Sequence, residues 1–133
     1  MKIKTLQFVK NQQGTTMMEF ALAAPLLLLL LFGIFETGHL YYIRSNLQHA
    51  VYTAARYAMM NATASNSTIS QKASEKVTAV SAGAVTISIQ DQMVGGKPYK
   101  QISLAYNFSS VVGSLINYTN IPINVQSSVP ALP

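Results

Sequence analysis

The chain has 133 residues, half of them hydrophobic and only 10% charged, with a formal net charge of +5 and no cysteine. That length allows one small domain plus appendages, and the lack of cysteine excludes disulfides and thiolate zinc sites. Three of the nine basic residues, Lys2, Lys4 and Lys10, fall in the first ten positions. The basic balance is therefore largely a terminal feature, not the clustered basic face of a nucleic-acid-binding domain.

Residues 20–35, FALAAPLLLLLLFGIF, run without a charge. A bilayer span needs about 20 apolar residues to cross its ~30 Å hydrocarbon core. Extension through 15–18 and 37–43 supplies that length and brings Glu19 and Glu36 to its edges. Tyr41 and Tyr42 suit an interfacial aromatic belt, and the three leading lysines place the N-terminal side in the cytoplasm. A secretory signal peptide would carry its small-residue cleavage site after the apolar run. Glu36-Thr37-Gly38-His39-Leu40 follows instead, which argues against ordinary signal-peptide removal.

Glu19 is the informative residue of this segment. A charge near the centre of a span costs about 2.5–3.5 kcal/mol on insertion scales, and less near an end. Glu19 either marks the membrane edge or awaits a cation. Pro25 forgoes a backbone bond to Ala21. That loss costs ~3 kcal/mol in a soluble helix interior, but proline is tolerated in membrane helices.

Beyond Gly38 the pattern becomes amphipathic. Leu40, Ile43, Leu47, Ala50, Val51, Ala54 and Ala58 recur at three- and four-residue spacing, which predicts a helix continuing to Met60. His39 and His49 lie ten apart on it, not at the three- or four-residue spacing of helical metal ligands, so no metal site is expected.

The remainder reads as a small head. Residues 61–68 form a polar linker, and 70–82 are expected to be a second helix with Ala73, Val77 and Val80 inward and Gly83 as its C-cap. Strict alternation predicts strands at 84–90, 102–108 and 121–126, with a turn at 95–98. Residues 109–120 make a longer loop with a helical turn near 111–116. Pro122 assigns the third strand to a sheet edge.

Catalysis finds no support in this sequence. The acidic residues are only Glu19, Glu36, Glu75 and Asp91. Neither a converging carboxylate pair nor a nucleophile elbow, phosphate loop or metalloprotease motif occurs. No catalytic residue, cofactor, small-molecule substrate or nucleic acid is expected.

The stretch Gln12-Gln13-Gly14, then four residues, then Glu19-Phe20 resembles the prepilin peptidase site of type IV pilin-like proteins. Joined to Ala21-Leu22-Ala23-Ala24-Pro25-Leu26, to Phe32-Gly33-Ile34-Phe35-Glu36 and to Ala54-Ala55-Arg56-Tyr57-Ala58, it is similar to the TadE-like family, the minor pseudopilins of tight-adherence (Tad/Flp) pili. The resemblance covers about residues 10–60. It implies a basic leader, 1–14, removed between Gly14 and Thr15 by a prepilin peptidase, and an assembly role for Glu19, Phe20 and Pro25. Thr15 departs from the phenylalanine that many type IV pilins carry and methylate there.

The implied fold is α+β and pilin-like. A transmembrane helix over 15–38 continues as an amphipathic periplasmic helix over 39–60. A head over 61–133 then holds a short helix and a three-stranded antiparallel sheet. The implied partners are the membrane, the prepilin peptidase, sister pseudopilins and the pilus assembly platform. The implied location is the bacterial inner membrane, C-terminus periplasmic, with incorporation into an extracellular pilus open. Two other readings stand beside it: a permanent single-pass anchor for a periplasmic binding domain, and a minor pseudopilin of a type II secretion machine.

Overall fold

The computed structural model describes residues 12–131. The basic segment holding Lys2, Lys4 and Lys10 lies outside the described residues. The first element, α1, is a single helix, Gln12–Met60, of 49 residues, about 74 Å long at 1.5 Å per residue. It starts before the Thr15 boundary read from the sequence, so Gly14 and Thr15 fall in its first turn. It runs through Pro25 without interruption. The chain stops being helical at Asn61, whose backbone N–H and side-chain Nδ2 both donate to the Tyr57 carbonyl at 3.0 Å. This double bond closes the last turn and leaves the chain free to reverse.

α2 is Asn66–Ser74, shorter and earlier than the helix expected over 70–82. Its start is set by Ser65, whose hydroxyl accepts from the Thr68 N–H at 3.3 Å, the standard N-cap arrangement. Its early end has a tertiary cause. The Asn46 side chain on α1 accepts from the N–H groups of Thr78 and Ala79 at 3.0 and 3.2 Å. It also donates to the Lys76 carbonyl and the Thr78 hydroxyl at 3.3 and 3.0 Å. These bonds take the backbone groups that a continuing helix would have used. Gly83 accordingly does not cap α2, whose C-cap is Glu75, and lies instead in a 3-10 turn, Ala82–Ala84. Glu75 also pairs with Lys72 at 2.9 Å on the surface. The hydrogen bond and then the charge of that carboxylate hold the Lys72 ammonium above its ordinary pKa.

Three strands follow: β1 Thr86–Val94, β2 Lys97–Ser109 and β3 Asn120–Pro130. They form one antiparallel sheet in the order β1-β2-β3, the topology the sequence predicts, with each strand longer than its apolar centre. The β1–β2 connection is only Gly95-Gly96, with φ of +59° and +76°, as a two-residue type I′ hairpin requires. Pro122 lies on the edge strand β3. A four-residue helix, α3, Val111–Ser114, bridges β2 and β3.

The core lies between the outer half of α1 and one face of the sheet, with α2 closing one side. Ile43, Leu47, Ala50, Val51, Ala54 and Ala58 are buried on α1, and Ile102, Leu104, Phe108, Ile123, Val125 and Val129 face them from the sheet. Leu104 stands between Ile87 and Val125 in the register, so the alternation is what aims the apolar side chains at the helix. Ala55 is buried as well, because α1 packs on both α2 and the sheet and needs a wider apolar stripe than a single contact would. At one end of the core Lys100 reaches both Asp91 and Asn66, each at 2.9 Å. The sheet's other face carries mostly polar side chains, among them Gln126, which accepts from Gln101 at 2.8 Å.

Candidate functional site

α1 changes character at Ile43. From Ile43 onward it is buried at helical spacing, whereas no residue from Gly14 to Tyr42 is buried. The bare half contains the apolar window long enough to cross a membrane, and none of that window is covered by the rest of the chain. In water, so many unburied leucines and phenylalanines would be strongly unfavourable. The half-helix requires an apolar medium or other helices around it.

The residues singled out by sequence all fall on this bare half. Thr15 and Glu19 are one turn apart and share a face. Phe20 is 69% exposed, and Pro25 is exposed within the helix. They form a strip along one helix, and none of them converges with a head residue into a cleft. At Gly14 a Cβ would meet nothing within 4 Å. A helical glycine costs about 1 kcal/mol relative to alanine, yet packing among the described residues places no demand for one there.

The four carboxylates sort by partner. Glu75 pairs with Lys72 and Asp91 with Lys100. Glu36 accepts from the backbone N–H of Val111 and, at 3.1 Å, from that of Val112. Glu19 is exposed and has no hydrogen-bond or ion-pair partner among the described residues. A carboxylate at the margin of an apolar span with no partner among the described residues calls for the membrane surface or another chain to satisfy it.

Glu36 is the residue whose role sequence reasoning missed. Read from the sequence it marks the outer edge of the span. In the fold it caps α3, whose two leading amides have no intrahelical acceptor. Ser110 completes the cap by accepting from the Gly113 N–H at 2.7 Å. The only sequence signal was the helical turn expected near 111–116; a cap contributed by a residue 75 positions earlier leaves no local pattern.

This contact frames a groove of about 730 Å³ between α1 and the α3 loop, lined chiefly by Leu29, Phe32, Phe35, Phe108, Val111 and Leu115. His39 stands at its upper end with its ring 5.8 Å from that of Phe108. His49 is exposed a further ten residues along the helix.

Residues 14–56 match the family model of TadE-like protein. The N-terminal helix is thus the part of the chain that is similar to that family. The matched segment begins at Gly14, takes in the whole bare half of α1 and ends inside its packed half, so the likeness belongs to the helix. No curated protein and no solved structure matches the chain. The same helix is long and apolar enough to span a membrane.

Proposed function

We propose that the chain is a minor pseudopilin, a structural or priming subunit of a Tad-type pilus, cut between Gly14 and Thr15 by a prepilin peptidase. The observation that carries this reading is Glu19, the one carboxylate without a partner among the described residues, one turn from Thr15 on an uncovered apolar helix. Cleavage would create an α-amine at Thr15. Among packed helices, Glu19 of one subunit would meet the Thr15 amine of the next, and in a low-dielectric surrounding the two charges need each other. The absence of any packing demand for glycine at position 14 supports a role for Gly14 in recognition by the peptidase. In this reading the inner membrane holds the subunit before assembly, with the head in the periplasm, and sister pseudopilins and the assembly platform are its partners.

The test is N-terminal sequencing with intact mass, on protein from cells with and without a prepilin peptidase. A Thr15 terminus that depends on the peptidase is expected. A chain left uncut in both would make this a permanent single-pass anchor and reduce Glu19 to an edge-of-membrane carboxylate. Glu19→Gln should leave insertion and cleavage intact while impairing assembly, and normal piliation in that variant would refute the pairing.

A further inference from the structure

We propose that the loop spanning residues 111–118 is a membrane foot. It seats the head in the outer leaflet and holds the acyl chain of a lipid in the groove against α1. This rests on the reading that α1 spans a bilayer.

The first support is level. From Glu19 to His39 is about 30 Å along a helix, the thickness of a hydrocarbon core. A bilayer whose inner edge lies at Glu19 therefore ends near His39. The Glu36 carboxylate holds the Val111 and Val112 amides at that level. The groove beneath them extends down to Phe32 and Leu29, and Leu29 is about 10 Å below Glu36 on the helix.

Composition is the second. Residues 109–120 contain no charged side chain. Val111, Leu115, Ile116 and Tyr118 are 79%, 70%, 77% and 58% exposed. Four large exposed apolar or aromatic side chains within eight residues are costly over water and suited to an interface, with tyrosine at headgroup depth. Tyr41 and Tyr42, also exposed, lie just above Glu36 on α1.

The third is that the foot is preformed. The Ser110 N–H donates to the Thr119 carbonyl at 2.7 Å, and the Tyr118 N–H to the Gly113 carbonyl at 2.8 Å. Asn117 takes the left-handed conformation, φ +58°, which asparagine adopts more readily than most residues. Backbone groups that would be unsatisfied in lipid are thus partly paired within the loop. The groove wall is continuous with the lipid-facing side of α1 and opens onto it, so the same medium that covers Phe32 and Leu29 fills it.

The absence of native cysteine makes the experiment direct. Single cysteines at Leu115, Ile116, Phe32 and Met60 in the full chain, spin-labelled and reconstituted in phosphatidylglycerol/phosphatidylethanolamine vesicles, are read by collision with oxygen and with a water-soluble nickel chelate. All four positions are exposed, so the labels are tolerated. Oxygen should dominate at Leu115, Ile116 and Phe32, and the nickel chelate at Met60. Nickel dominance at Leu115 and Ile116 with oxygen dominance at Phe32 would overturn the foot while leaving the span intact. Both reagents excluded from the loop would also overturn it, showing a protein partner on that surface. Nickel dominance at Phe32 would remove the span itself.

Discussion

Glu36→Ala isolates the contact on which the geometry of the loop depends. The carboxylate accepts two backbone N–H bonds at the start of α3, and bonds to a charged group contribute about 1.5–3 kcal/mol each. Glu36 and the loop are only partly buried, so water recovers part of the loss and the pair is worth about 2–3 kcal/mol. Opening of the α3 loop would then become roughly 30–150-fold more frequent. Amide hydrogen exchange in lipid nanodiscs reads this directly. Val111 and Val112 should lose that much protection while the central strand β2 keeps its own, because loops open locally as separate units. Glu36→Gln, which keeps one carbonyl acceptor, should fall between. Unchanged exchange at Val111 and Val112 in Glu36→Ala would show that the carboxylate does not cap α3. Loss of protection throughout β2 would mean that Glu36 holds the whole head, not one loop.

Asn46→Ala removes a side chain that bonds the backbone at three residues, Lys76, Thr78 and Ala79, and should lower head stability by about 1–3 kcal/mol in denaturant unfolding. Asn46→Asp, which keeps the acceptor for Thr78 and Ala79, should recover part of it. Gly113→Ala would place a Cβ 2.1 Å from the Tyr118 carbonyl oxygen and 2.6 Å from the Ser110 hydroxyl. The loop must shift, at a cost of about 1–3 kcal/mol, and limited proteolysis at 110–119 should accelerate. Gly14→Glu, where nothing crowds the site, should leave the thermal unfolding of the head unchanged and abolish any peptidase-dependent shortening of the chain.

Periodicity and alternation alone determined much of this protein. The uncharged run over 20–35 and the three- and four-residue spacing from Leu40 to Ala58 specify one long helix, bare then packed. Both are one-dimensional patterns that follow from helix geometry. Alternation placed Ile102, Leu104, Ile123 and Val125 on one face, and Gly95-Gly96 located the hairpin, because turns and pleats are local properties. The strip from Gly14 to Pro25 was singled out by its resemblance to pilin-like sequences, and the structure adds that it lies along a single helix.

Tertiary structure decided what depends on groups distant in the chain. The segment 75–82 has the composition of a helix, yet α2 ends at Ser74 because Asn46, far earlier in the chain, claims the backbone of Lys76, Thr78 and Ala79. Ala55 is in the core only because α1 meets two neighbours at once. The pairing of Glu36 with α3 crosses 75 residues, so no window of sequence contains both. A side-chain cap is specified by where two elements meet in space, and that meeting is set by the packing of α1 on the sheet.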